Sequence, residues 1–354
     1  MKRFSAARWL PALAGLLSVG AITQYAQAGG ITAADVFANG QSVTIQGSGF
    51  GSKAVARPLQ FFDYGNSSTR SSALSRSAYT AQTRGALSST VVAPGSRTSL
   101  QVDLGGNEKA AGPLDGVGFH SSNVYVWIKH RYEFDVNSAS GPNGFNLKVF
   151  RLWYPYTHDT YVAYQGHGGS LVGVENTQDS SVWFHMRPKE HAWVIDEYDY
   201  QSSGVNSADG ILQYARNGIL AWSPTTRFTM RTSSLPQPYQ VLYFDQVSNN
   251  QIAKGTYVYI DSIYVDDTRQ RVIVSDEPTW TTQVDTGKES HREVQIPTSW
   301  SDGQIQITAR QGSLDTFANK YLYVIDADGN PVSNKGFPVT GGVAPNPPSS
   351  VAVQ

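Results

Sequence analysis

The feature that most constrains this chain is the punctuation of residues 95 to 275. At least eight β-like runs are separated there by Gly, Asn, Asp and Pro clusters, with no long amphipathic helix among them. They include Ser99–Leu104, Val124–Tyr132, Lys148–Trp153, Ser181–Arg187, Ala192–Tyr200, Ile211–Arg216 and Gly255–Val265. Short runs spaced by turn residues can bury their apolar sides only by stacking sheet on sheet. The spacing therefore predicts an all-β, two-sheet sandwich or jelly roll over 99–280.

Composition narrows where such a sandwich works. Only 16% of residues are charged, against 33 Gly, 19 Tyr and 8 Trp, a profile suited to a secreted β-protein. The net charge of -1 gives no global attraction to nucleic acid or anionic membrane. Lys2 and Arg3, the apolar run "WLPALAGLLSVGAI" and Ala26-Gln27-Ala28 have the layout of a signal peptide cleaved after about Ala28. The run is shorter than the roughly 20 residues a bilayer needs, so the mature chain is expected to be uninserted and either secreted, periplasmic or at the cell surface. With no cysteine, the exported chain has no disulfide and no lipobox, and its stability must come from packing.

The two ends read as halves of one small module. Val43 and Ile45 alternate with polar residues before glycines at 47, 49 and 51, and "VTIQGSGFG" (43–51) resembles the opening of the IPT/TIG domain, an immunoglobulin-like fold. "WSDGQIQITA" (300–309), "YLYVI" (321–325) and the Asp328-Gly329-Asn330 turn resemble the later strands of that family. The resemblance implies a discontinuous immunoglobulin-like domain, 29–64 plus 288–341, interrupted by the large domain. Such insertion is tolerated because loop-closure entropy grows slowly with length. Two independent β-modules at the ends are the alternative. Residues 65–98 read as a Ser/Thr-rich connector, and 342–354 as a disordered Pro/Ser tail.

Three runs divide their residues alike. Val124, Val126 and Ile128 alternate with Tyr125, Trp127, Lys129 and Arg131; Phe150 and Leu152 with Arg151 and Trp153; Val182, Phe184 and Met186 with Trp183, His185 and Arg187. A solvated strand face needs only small polar residues, yet these carry aromatic and cationic ones. If the runs share a sheet, Trp127, Lys129, Trp153, Trp183 and Arg187 form one surface on which indoles stack on sugars and cations pair with carboxylate or sulfate. An acidic polysaccharide is the expected partner.

"SLQVDLGG" (99–106), "KVFRLW" (148–153), "HAWVIDEYDY" (191–200), "DGILQYARNG" (209–218) and "YVYIDSIYVDDTRQRV" (257–272) look like segments of concanavalin A-like jelly rolls, the fold of laminarinase-type glucanases, polysaccharide lyases and lectins. The resemblance implies either a lyase cleaving uronate polymers by β-elimination or a non-catalytic glycan-binding or adhesion protein. For the lyase it implies Arg151 as carboxylate neutraliser, His185 as base, Tyr198 or Tyr200 as acid and Gln213 as amide partner, with His158 and His167 as alternatives. No cofactor is required. Asp261, in a stretch resembling the last strand of carbohydrate-binding modules, is the candidate ligand of a structural Ca²⁺. The chain lacks the E-x-D-x-x-E stretch of glucanases, as well as HExxH, P-loop and GxSxG motifs.

Overall fold

In a computed structural model of the chain, the described residues are 29–66, 74–75, 85–104, 113–114, 122–133, 146–154, 158–166, 170–175, 182–185, 189–222, 229, 231–234, 236, 241–243, 247–248, 255–280 and 291–342. The proposed leader and tail, Arg187 and His167 lie outside them. The described residues form antiparallel sheets of four, seven, nine and four strands and no helix, an all-β architecture of jelly-roll sandwich type with a second, smaller sandwich. None of them forms a helix long and apolar enough to cross a membrane.

The small sandwich draws on both ends of the chain. Ser42–Ser48 pairs with Gly30–Ala34 on one side and Gln304–Thr308 on the other, and Ile296–Trp300 completes that sheet. Facing it, Arg271–Ser275 pairs with Arg292–Val294 and Tyr321–Ile325. Val43, Ile45, Val272, Val274, Ile305, Ile307, Leu322 and Val324 close the space between the two sheets. The alternation of Val43 and Ile45 with exposed neighbours reflects a sheet with one wet face, whereas all five residues of Arg271–Ser275 are buried. The second sheet therefore has a layer on each side.

Its outer neighbour is the nine-stranded sheet. The order there runs Ile219–Trp222, Ile211–Arg216, Val194–Gln201, Asn123–Glu133, Tyr257–Asp266, Gln60–Asp63 and Leu74–Ser75, with Ser99–Asp103 also on Tyr257–Asp266 and Ala86–Ser88 beyond it. Ile273, Val294, Tyr323 and Ile325 of the small sandwich pack on Phe61, Tyr125, Trp127, Ile195 and Tyr264 of this sheet. The seams between modules differ from the expected ones. Gln60–Asp63, placed by sequence in the small module, pairs with Tyr257–Asp266, while Arg271–Ser275, placed in the large one, belongs to the small sandwich. Both are short apolar runs whose pattern does not say which sheet they will join.

Where the small sandwich meets water, His291 Nδ1 and Asp276 Oδ2 lie 3.1 Å apart. The hydrogen bond that the His291 ring donates to Asp276 raises the His291 pKa above its ordinary value. A raised histidine contributes stability fully below its unfolded pKa of about 6.5 and loses it as pH rises through the folded value. Asp276→Asn is therefore expected to destabilise by about 0.2–1 kcal/mol near pH 5.5, given the exposure of the pair, and hardly at all near pH 8.5. Thermal melts of the two proteins at both pH values test this, and an equal gap at both would refute it.

Candidate functional site

The seven-stranded sheet carries the candidate surface, and its register shows what lies beside what. Among the described residues its order is Val182–His185, Ser170–Glu175, His158–Gly166, Asn146–Tyr154, Val241–Tyr243 and Pro113–Leu114, with Val247–Ser248 also on Asn146–Tyr154. Directly paired residues of an antiparallel sheet share a face. Arg151 pairs with Tyr161 on one neighbour and Tyr243 on the other, and Tyr161 pairs in turn with Glu175. Trp153 pairs with Asp159 and Val241. Two residues further along, Ala163, Gly173 and Trp183 form a row, and beyond it Gln165, Leu171 and His185 form another.

All of these positions belong to one face. The opposite face holds Leu152, Val162, Val172, Val174, Val182, Phe184 and Leu242. One face is thus mainly apolar, and the other carries Arg, Tyr, Trp, His and Gln positions together with those of Asp159 and Glu175. With strands about 4.8 Å apart and about 3.3 Å of rise per residue, the backbone positions of Arg151 and His185 are roughly 20 Å apart. That spacing is too wide for a neutraliser and base acting on one sugar, the roles expected of them. The immediate neighbours of Arg151 are Tyr161 and Tyr243, which sequence reasoning missed. Their proximity arises from strand pairing, and only the Arg151–Trp153 and Trp183–His185 alternations were visible locally.

Trp127 and Lys129 do not belong to this surface. They lie in Asn123–Glu133 of the nine-stranded sheet, on the face beneath the small sandwich. Trp127 is 0% exposed, its Nε1–H donates to the Arg292 carbonyl at 3.1 Å, and the Arg310 guanidinium lies 5.4 Å from its ring centre. Lys129 is also buried, 3.7 Å from Asp261 and 4.0 Å from Glu293. The aromatic and cationic residues of this run serve a layer interface, where cations sit over rings and pair with buried carboxylates. Asp261 is corrected for the same reason. Its carboxylate accepts from Ser96 Oγ at 2.5 Å and Ser262 Oγ at 2.8 Å and meets Arg310 at 3.4 Å, so its described partners are protein hydroxyls and a guanidinium. Among the described residues no three His, Asp or Glu side chains gather to hold a metal ion.

Tyr198 and Tyr200, expected as catalytic acids, are at most 1% exposed, on the face opposite Trp127. They are core residues here: the Tyr198 ring lies 5.0 Å from that of Tyr214. The same face holds a fully buried Asp196, whose Oδ1 accepts from Arg216 Nε at 2.7 Å and Tyr214 at 2.8 Å, with His130 Nε2 2.9 Å from Oδ2. Burial alone would raise this carboxyl, yet Arg216 and His130 hold it well below the usual carboxylate range. Gln213 shares the interface face, its amide oxygen accepting from Arg269 at 3.3 Å, and Arg269 also donates to Asp199 at 2.7 Å. The expected set of His185, Tyr198, Tyr200, Arg151 and Gln213 is thus divided between two sheets.

No family model matches the chain, and no curated protein is significantly similar to it. Its likenesses are to solved structures. The alginate lyase Aly36B is 11% identical, over 60% of this chain and 98% of its own, at a TM-score of 0.38. An endo-beta-1,4-glucuronan lyase from the fungus Trichoderma reesei is 12% identical, over 59% and 95%, at 0.41. The receptor-binding domain of botulinum neurotoxin type G is 10% identical, over 78% and 74%, at 0.37.

Proposed function

We propose that the protein is a secreted protein that binds an acidic polysaccharide on the polar face of its seven-stranded sheet and cleaves it by β-elimination. The observation that carries this reading is the register placing Arg151 between Tyr161 and Tyr243 on the face that also holds the Trp153 and Trp183 positions. A proton next to a carboxylate is hard to remove, because the carbanion adds a second negative charge beside the first. A guanidinium on that carboxylate offsets the charge. The same cation favours the ionised form of an adjacent tyrosine, which makes Tyr161 or Tyr243 a better base. In the step, the ionised tyrosine takes the C5 proton, a C4–C5 double bond forms, the C4–O4 bond breaks, and the now neutral tyrosine returns that proton to the leaving oxygen. Trp153, Trp183 and His185 would contact sugar units further along the polymer. The small sandwich, on the strength of its "VTIQGSGFG" stretch, is an IPT/TIG-like module built into the same body.

Incubation with alginate, polyglucuronate and pectin is expected to raise ultraviolet absorbance from unsaturated uronate ends with at least one of them. Arg151→Ala is expected to abolish the rise and weaken retardation in polysaccharide affinity gels by tenfold or more, about 1.4 kcal/mol. Retardation without absorbance would leave a binding protein and defeat the lyase reading. Absence of both with every acidic polymer defeats the whole proposal.

A further inference from the structure

A cavity of about 320 Å³ opens where the small sandwich meets the nine-stranded sheet, away from the surface just described. Phe61, Asp63 and Asn66 line it from the large-domain side, and Asn39, Thr308, Arg310 and Gln311 from the small sandwich. Its volume lies at the lower end of the range of about 300–1,000 Å³ for small-molecule sites, which favour seams between domains. We propose that this cavity is a second binding site and takes a neutral sugar unit.

Charge and chemistry select that ligand. The lining includes one carboxylate, Asp63, and one cation, Arg310, whose guanidinium is already paired with Glu293 and Asp261, so an anion would meet the Asp63 carboxylate with no unpaired cation in the lining to hold it. A neutral ring with several hydroxyls can donate to Asp63 and to the Gln311 amide oxygen, whose NH2 is already given to the Leu314 and Asp315 carbonyls, and can exchange hydrogen bonds with the Asn39 and Asn66 amides and the Thr308 hydroxyl. Phe61, Ile296 and Ala309 supply apolar lining against which C–H groups of a pyranose can pack. Among the described residues the hydrogen bonds to this carboxylate come from the Asn66 amide, at 3.3 and 3.5 Å. Asn66 and Asn39 are exposed and Asp63 half-buried, so a ligand can reach them.

The walls are also held in place. Gln311 N–H donates to Asn39 Oδ1 at 2.9 Å, and Gly40 N–H to the Ala309 carbonyl at 2.8 Å, which ties the two rim segments together. Gln295 accepts from Arg310 N–H at 2.7 Å and donates to its carbonyl at 3.0 Å. The Arg310 guanidinium is fixed by Glu293 at 2.5 Å and Ser262 at 2.8 Å. Gly312, with φ of 56°, lets the rim pass the Glu293 carboxylate, which a Cβ there would approach to 2.1 Å. A pre-formed site loses little entropy on binding.

The test is titration of the full chain with maltotriose, cellotriose, xylotriose, mannotriose and galactotriose, followed by isothermal calorimetry and by amide shifts of residues 39, 66 and 311. At least one trisaccharide should give saturable binding that Asp63→Ala and Asn66→Ala each weaken tenfold or more, with melting midpoints unchanged. Arg151→Ala should leave it intact, which separates this site from the sheet surface and from the fate of the lyase reading. Failure of all five sugars, binding indifferent to both cavity variants, or binding lost with Arg151→Ala would each overturn the proposal. Since Asn66 is exposed, its variant serves as the test if Asp63→Ala does not fold.

Discussion

Asp196→Ala is expected to destabilise the protein by about 3–5 kcal/mol, the range for removing one partner of a buried ion pair. The carboxylate is fully enclosed, and its loss strands the Arg216 guanidinium and the Tyr214 hydroxyl that it now satisfies, along with the His130 ring nitrogen 2.9 Å away. Asp196→Asn keeps the shape and one acceptor, and should cost less. The pH dependence follows from the direction of the shift. Arg216 and His130 hold the folded-state pKa below the unfolded one, so the stabilisation is present above about pH 4 and is lost as pH falls toward the folded value. The gap between wild type and Asp196→Ala should thus narrow in acid. Urea unfolding at pH 7 and pH 3 measures it, and a cost below about 1 kcal/mol at pH 7 would show that the network contributes little.

Trp127→Ala is expected to cost a similar amount, about 3–5 kcal/mol, for a different reason. The indole is fully buried in the core cluster that also holds Tyr125, Tyr264, Ile273 and Val294, and its removal opens a cavity at the junction of the nine-stranded sheet with the small sandwich. Polysaccharide binding by the folded fraction should be unchanged. Trp153→Ala is the contrast: it should weaken retention on an acidic polymer while shifting the melting midpoint little. If Trp127→Ala instead leaves stability intact and abolishes binding, the small sandwich does not cover that face in solution.

The two tryptophans show how far local pattern carries. Trp127 in "VYVWIKHRY" and Trp153 in "KVFRLWY" stand in the same kind of alternation, with apolar residues on one side and aromatic and cationic ones on the other. Period-two alternation says which residues share a face, and it held for Tyr125, Trp127 and Lys129 as well as for Arg151 and Trp153. It carries no information about what stands opposite that face. The small sandwich, with Arg271 over Tyr125, Arg310 over Trp127 and the Arg292 carbonyl accepting from the Trp127 indole, turns a face that looks sugar-binding into an interface. Likewise the tyrosines at 198 and 200 looked available because tyrosine tolerates both water and core. Only their side of the sheet decided between the two.

The sequence alone determined the all-β class, the absence of disulfide bracing and which residues alternate along each strand, because these depend on residues a few positions apart. Tertiary structure decided which strands share a sheet, so that residues 42–48 meet 304–308 and Arg151 comes to lie between Tyr161 and Tyr243. It also decided which polar face is roofed over. Pairing between strands far apart in the chain depends on how all the apolar faces can be buried at once, a property of the assembled layers that no single run encodes.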